Sequence, residues 1–209
     1  MKKLFLISLV FIMVYDVVAQ DDAKAISNSK LRNNSIDLRI AYVNHNNSNV
    51  QVQSGPVSVD VGTGGISGKI IYNYYPNYDY SFFFSIGGMT PKVSVDNISE
   101  HSSTIGSLMM GMKYFPFKSI NDDTFRPYLS CGMQMLIGTE SNVEILNVES
   151  HTESAMGVYG SIGTEFLISS RIKFLTEMGY NLVTDFTVDI GNKKNYSGAE
   201  FSFGIGFMF

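Results

Sequence analysis

The residues of this sequence best suited to chemistry are a histidine and a serine two positions apart, His101 and Ser103. Positions i and i+2 of an extended strand share one face, so an imidazole there could activate the hydroxyl as a nucleophile. The stretch GTGGISGK at 62–69 has the composition of a phosphate-binding loop, but Thr63 replaces the required first glycine and Ile70 the metal-binding hydroxyl. This stretch therefore predicts a glycine-rich entry into a strand.

The three histidines are spread along the chain, at His45, His101 and His151. Each lies in a different polar segment with acidic residues nearby. A metal site would require three separate loops to converge, so we expect solvated loop residues, no metal and no cofactor.

The first residues have the features of an export signal. Met1-Lys2-Lys3 is positive, residues 4–15 are apolar, and the sequence VVA ends at Ala19. We predict a signal peptide at 1–19, with cleavage leaving Gln20, and a polar, disordered lead-in at 20–33. The apolar run is shorter than the ~18–20 residues of a spanning helix, and Asp16 interrupts it.

Composition excludes several classes of protein. A single cysteine, Cys131, excludes an intramolecular disulfide. The net charge of −4, without a basic stripe, gives no reason to expect nucleic acid as a partner.

The dominant pattern along the chain is an alternation of apolar with small or polar residues. At the C-terminus, Phe201, Phe203, Ile205, Phe207 and Phe209 alternate with residues such as Ser202 and Gly204. This period of two predicts a β-strand with one apolar face. It recurs in eight segments, at 36–42, 70–74, 80–86, 108–114, 129–135, 158–166, 172–180 and 199–209.

The connections between these segments alternate in length. Long, polar connections are expected at 44–65, 89–102, 139–154 and 184–197, and short turns at 76–79, 118–123 and 169–171. Long loops at one end and tight turns at the other are typical of outer-membrane barrels. We therefore predict an all-β fold, an eight-stranded antiparallel transmembrane up-and-down β-barrel at 34–209. Its even number of strands places both termini on the periplasmic side.

The composition of the polar face predicts which face is inside. It consists mainly of Gly and Ser with about one charge per strand, which suits the narrow interior of an eight-stranded barrel. The apolar face then points into lipid, with tyrosines near the strand ends at the headgroup level. A soluble lipid-binding barrel with its apolar face inward is the alternative, and cell fractionation would distinguish the two.

The charges of the small face balance in sign. We expect a salt-bridged charge lattice that fills the bore, because pairing reduces the cost of burying each charge. A charge-lined permeation path is the alternative. The charge lattice consists of Asp37, Arg39, Lys69, Lys113, Glu165, Lys173, Glu177 and Glu200.

Over residues 34–209 the chain resembles the small outer-membrane barrels of the OmpA-transmembrane, OmpX and OmpW type. The ending SFGIGFMF is similar to the C-terminal signal that the barrel-assembly machinery of this family recognises, through Ser202, Gly204, Phe207 and Phe209. The resemblance implies an integral outer-membrane protein of a Gram-negative bacterium. Its implied partners are outer-membrane lipid, lipopolysaccharide and the assembly machinery.

Three connections contain strand-like sequence, at 49–61, 142–148 and 186–190. Strands that continue beyond the membrane would form a protruding sheet, whose edge can pair with an extended partner. The first prediction for function is therefore a non-enzymatic surface protein with a structural or adhesion role and an extracellular protein partner. A narrow transporter or channel for small hydrophobic solutes is the second.

The third hypothesis for the function is a lipid A-modifying enzyme, since some outer-membrane barrels deacylate lipid A with a lipid-facing His-x-Ser pair. In this chain only His101 and Ser103 resemble that pattern.

Overall fold

The computed structural model describes residues 32–45, 64–89, 100–116, 124–144, 147–191 and 193–209. The predicted signal peptide (1–19), hairpin (49–61) and turn (118–123) lie outside these residues, as does most of the lead-in (20–33). Eight antiparallel strands pair in chain order and close into one barrel. They are β1 (Asn34–His45), β2 (Gly64–Tyr74), β3 (Tyr80–Met89), β4 (Glu100–Tyr114), β5 (Phe125–Glu144), β6 (Asn147–Leu167), β7 (Ile172–Val183) and β8 (Gly198–Met208).

The barrel closes by pairing its first strand with its last. β1 and β8 are in register from Ser35↔Met208 to His45↔Gly198. Beyond the last strand residue, the amide of Phe209 donates to the carbonyl of Asn34 over 2.9 Å. Closure leaves no open edge around the ring, which a sheet surrounded by lipid requires.

The strand faces have the predicted orientation. Phe84, Met110 and Phe203 point outward with 43%, 58% and 48% of their surface exposed, whereas Ser85 points inward and is 1% exposed. Such an apolar exterior is tolerated only in lipid, because a soluble protein would bury these side chains. The predicted eight-stranded transmembrane barrel is therefore confirmed as the fold class.

Side-chain oxygens close the two short turns that the structure describes. Asn77 Oδ1 accepts hydrogen bonds from the amides of Asp79 and Tyr80 at 3.0 and 2.9 Å. Ser169 Oγ accepts from the amides of Arg171 and Ile172 at 3.2 and 3.1 Å. Asn and Ser favour such turns because their side chains replace a backbone acceptor. We call the end with these turns the short-turn end, and the opposite one the long-loop end.

At the long-loop end, three strands continue beyond the barrel. β4 pairs with β5 up to Glu100↔Val143, and β5 pairs with β6 up to Glu144↔Asn147. β6 pairs with β7 only as far as Gly157↔Val183. The long loop predicted at 139–154 is therefore wrong, since most of it is strand, and the strand-like composition at 142–148 was the better indicator.

The segment 186–190, which also has strand-like composition, is not a strand. It forms only an isolated bridge between Ile190 and Lys193. Its apolar side chains pack into the mouth of the barrel instead of pairing along a sheet. Among the residues described, no helix is long and apolar enough to cross a membrane.

Candidate functional site

The interior of the barrel holds all eight residues of the charge lattice. Each has at most 8% of its surface exposed, and each takes part in an ion pair with another. Arg126 is an additional member that the sequence analysis missed, with 5% exposure. The alternation could have identified it, because Arg126 shares the inward face of β5 with Tyr128 and Ser130.

The largest group of these charges lies towards the short-turn end and is centred on Glu165. One oxygen of this carboxylate accepts from the ammonium groups of Lys113 and Lys173 at 3.2 and 3.1 Å. The hydroxyl of Tyr75 donates to it over 3.0 Å. Lys173 also lies 3.0 Å from Asp37, so residues of β1, β4, β6, β7 and the turn after β2 meet in one network of five elements.

Two further groups continue the charge lattice towards the long-loop end. Arg39 pairs with Glu177 at 2.9 Å, and the hydroxyls of Tyr128 and Tyr159 donate to the same carboxylate. Above them, the ammonium of Lys69 donates to Glu200 over 2.6 Å. The buried charges are thus paired with one another, which lowers the cost of keeping them inside.

Glycines make room for the large side chains of the interior. A Cβ added to Gly163 would lie 2.6 Å from the ring of Tyr128, and one added to Gly179 would lie 2.5 Å from the hydroxyl of Tyr159. The inward-facing residues at these positions are therefore glycines because tyrosine rings from neighbouring strands lie over them. The alternation in the sequence indicates the glycines but not the rings that need them.

Aromatic side chains close the short-turn end. Tyr75, Phe115 and Tyr128 form one buried cluster. The guanidinium of Arg126 lies 4.1 Å from the centre of the Phe115 ring, within the range of a cation–π contact. This end of the bore is filled by packed rings and a paired cation.

The long-loop end is closed by the segment between β7 and β8. We call residues 184–191 and 193–197 the cap. Its residues Phe186, Ile190 and Tyr196 are buried against side chains inside the barrel, namely Ile105, Leu136, Ala155 and Val183. The amide of Phe186 donates to the carbonyl of Lys194 over 2.8 Å, which folds the cap back on itself. Apolar burial is therefore what keeps this segment in the mouth.

Two small cavities lined by described residues lie between the two closures. One of about 20 Å³ lies beneath the cap, and one of about 10 Å³ lies beside Arg39 and Glu177. Lys69 lines both. Each has room for about one or two water molecules. Their size and the filled bore on either side disfavour an open aqueous path.

The three histidines lie in three different strands, whereas the sequence predicts solvated loop residues. His45 is the last residue of β1 and is 5% exposed beneath the cap, so the prediction is wrong for it. His101 lies in β4, opposite Asn142. His151 lies in β6 and is exposed. Within the described residues, no cluster of His, Cys, Asp and Glu could hold a metal ion.

His151 and Glu153 connect the protruding part of β6 to the cap. His151 Nε2 lies 3.0 Å from one oxygen of Glu153, and the other oxygen accepts from the amides of Thr187 and Val188. The hydrogen bond from His151, followed by those of the two amides, holds the pKa of Glu153 below its usual value. The carboxylate thus remains ionised, and able to bind the cap, under mildly acidic conditions.

The hypothesis of a lipid A-modifying enzyme requires a serine that faces lipid. Ser103 instead points into the barrel and is 2% exposed. Its hydroxyl has no hydrogen-bond partner among the described residues. A nucleophile in this position is on the wrong face of β4 to reach an acyl chain in the membrane.

The residues of the predicted assembly signal divide between the two faces of β8. Ser202 is buried inside, and Gly204 packs against Arg39, whereas Phe207 and Phe209 are 51% and 47% exposed on the outside. The two rings stack on each other at a centroid distance of 6.4 Å. Recognition by the assembly machinery remains a prediction.

A closed ring of eight antiparallel strands, apolar outside and filled with paired charges, defines a small transmembrane β-barrel. Solved structures share this fold. Neisserial surface protein A matches with a TM-score of 0.55 at 17% identity, covering 84% of this chain and 97% of that one. Ail, the attachment invasion locus protein of Yersinia pestis, matches with a TM-score of 0.52 at 13% identity, covering 86% and 100%. The outer membrane protein OprG from Pseudomonas aeruginosa matches with a TM-score of 0.53 at 11% identity, covering 88% and 98%.

These identities establish the fold alone. The chain has the fold of the small eight-stranded outer-membrane barrels, which confirms the fold expected from the OmpA/OmpX/OmpW-type resemblance. No protein-family model and no curated protein matches the sequence.

Proposed function

We propose that the chain is a non-enzymatic integral outer-membrane protein of a Gram-negative bacterium that docks an extracellular protein at its long-loop end. The short-turn end, with both termini of the barrel, faces the periplasm. The observation that carries this proposal is the contrast between the two regions of the molecule: the bore is filled, while β4, β5 and β6 project beyond it.

The edge of β6 offers a specific docking geometry. Met156 bonds to Thr184 through both its amide and its carbonyl, so its backbone groups point away from β5. By the alternation of a strand, those of Ser150, Thr152 and Ser154 point the same way. Among the described residues, no backbone group pairs with Ser150, Thr152 or Ser154 on this edge. An extended segment of a partner protein can add to such an edge as a further strand.

The test compares two substitutions of one edge residue in bacteria that express the chain at their surface. Thr152→Pro removes the edge amide, whereas Thr152→Val retains it. Attachment to cultured host cells or to surfaces coated with extracellular matrix should fall for the proline variant and persist for the valine variant. Equal attachment of all strains, or none by the unmodified chain, would reject the docking role. Heat-modifiable gel mobility in the outer-membrane fraction verifies location and folding.

Transport of small hydrophobic solutes is the second candidate, favoured by the apolar side chains that line the bore beneath the cap. Against it stands the charge lattice, which fills the bore around two cavities that each have room for about one or two water molecules. Reconstitution in planar bilayers separates the candidates: docking alone predicts neither ion conductance nor solute flux. A lipid A-modifying role is tested by substituting His101 and Ser103, which should leave the mass of extracted lipid A unchanged.

Lipid, lipopolysaccharide and the barrel-assembly machinery are the partners that such a location requires. The outward rings of Phe207 and Phe209 and the inward Ser202 and Gly204 keep the spacing of the assembly signal. Deleting Phe209 should reduce the amount of folded barrel in the membrane fraction. Unchanged assembly would exclude the terminal residue as part of the signal.

A further inference from the structure

We propose that the cap is an acid-released lid over the mouth of the barrel and that His45 is its latch. The device is independent of the docking role, because cap release is measured on the isolated protein without a partner. Its elements are a buried imidazole, a segment held mainly by apolar contacts, and a small cavity between them.

His45 contacts the cap directly at Tyr196. Its Nδ1 lies 3.1 Å from the carbonyl oxygen of Tyr196, and the two rings meet edge to face at 5.0 Å. Since a carbonyl only accepts, Nδ1 must carry the proton and donate. The docked cap therefore selects a neutral ring protonated at Nδ1, and an added proton must go to Nε2.

The other direct contacts of the cap described above are apolar, join backbone and hydroxyl groups, or run through the carboxylate of Glu153. Phe186, Ile190 and Tyr196 are held by apolar contacts, and the hydroxyl of Tyr196 donates to the carbonyl of Ile190. Glu153 binds two cap amides, but its pKa lies below the usual value, so it stays ionised as the solution becomes mildly acidic. His45 is consequently the group in these contacts that responds first to acid.

His45 lies above the lipid-facing band of β1, whose last outward apolar residue is Tyr42. The ring is packed among charges from several elements. Lys193 of the cap and Glu200 of β8 act on it electrostatically, and Lys69 of β2 lines the cavity that His45 also lines. Glu140 of β5 and Asp189 of the cap act on the neighbouring Tyr196.

Burial is the larger cause and Lys193 the second cause that lowers the pKa of His45 to about 4. The hydrogen bond to Tyr196 and the charge of Glu200 oppose this shift without cancelling it. The docked state therefore excludes the proton that a released, solvated imidazole would bind.

Proton linkage determines whether docking of the cap strengthens or weakens as the pH falls. When the cap is released, His45 has an ordinary pKa near 6.5, so the released state binds more protons than the docked one. The preference for docking is complete above about pH 6.5 and is lost progressively as the pH falls towards about 4. Between about pH 7.5 and about pH 5 the docking equilibrium falls by about 30-fold. Release would expose the apolar residues that the cap covers.

Amide hydrogen exchange of the refolded full chain in detergent micelles measures this equilibrium directly. The reporters are the amides of Thr187 and Val188, which donate to Glu153 of β6 only while the cap is docked. After correction for intrinsic exchange rates, their protection should fall by about 30-fold from about pH 7.5 to about pH 5. Amides of the barrel strands, which do not depend on the cap, should keep their protection.

His45→Asn is the matched variant, because its amide nitrogen can still donate to Tyr196 but does not titrate. Its cap protection should be independent of pH over this range. Lys193→Gln removes the cation and should make the pH response smaller, which provides a second test if the first variant does not fold. Wild-type protection that changes less than about 3-fold would overturn the proposal, as would an undiminished response in His45→Asn.

Discussion

Replacing Glu165 with glutamine tests whether the charge lattice holds the barrel together. This fully buried carboxylate faces the cations of Lys113, Lys173 and Arg126, with Asp37 as the other anion of the group. The substitution leaves three cations around one carboxylate. Removing one partner of a buried ion pair costs about 3–5 kcal/mol, so the free energy of unfolding should fall by roughly this amount.

The assay is urea unfolding of the barrel in lipid vesicles, with the folded fraction read from heat-modifiable gel mobility. The double variant Lys113→Met/Glu165→Gln removes one excess cation as well and should regain at least about 1 kcal/mol over Glu165→Gln alone. Asp189→Asn, at an exposed acid of the cap, is the control and should change stability by less than about 0.5 kcal/mol. A loss below about 1 kcal/mol, or no recovery in the double variant, would refute the structural role assigned to the charges.

Three other outcomes follow from the positions of single residues. Gly179→Ala should destabilise the barrel by about 1–3 kcal/mol, whereas Gly68→Ala, whose added Cβ meets nothing within 4 Å, should be neutral or stabilising by up to about 1 kcal/mol in the same urea titration. Met133→Trp introduces the only tryptophan, and brominated lipid should quench its emission because this position faces outward; unquenched emission would contradict the orientation. Glu153→Gln should speed hydrogen exchange of the two cap amides it binds without changing exchange in the strands, and equal exchange would show that this carboxylate does not hold the cap.

The barrel itself could be predicted because its information is local to each strand. A period of two is set by backbone geometry, so the pattern from Phe201 to Phe209 determines a face without knowledge of any neighbour. The direction of the faces followed from volume, since Gly and Ser fit inside a narrow ring and Phe and Ile do not. Neither inference requires knowledge of which distant residues are in contact.

What the sequence did not reveal depends on contacts between distant segments. The apolar residues of 186–190 have the composition of a strand, but Phe186 and Ile190 pack against apolar side chains in the mouth of the barrel. Likewise, nothing around His45 in sequence indicates burial, because the covering residue, Tyr196, lies 151 positions away. The segment 139–154 is mostly polar and has no continuous apolar face to indicate a strand, so the sequence predicts a loop where the structure has the ends of β5 and β6.

The distribution of the charge lattice around the ring has a consequence for assembly. Asp37, Lys113, Glu165 and Lys173 come from β1, β4, β6 and β7, and only Glu165 and Lys173 share a hairpin. Asp37 of β1 meets Lys173 of β7 only once the first and last strands have joined, and until then it lacks this counterion. A ring of the wrong circumference would leave some of these charges permanently unmatched. The buried ion pairs therefore favour closure of the barrel with all eight strands over closure with a different number.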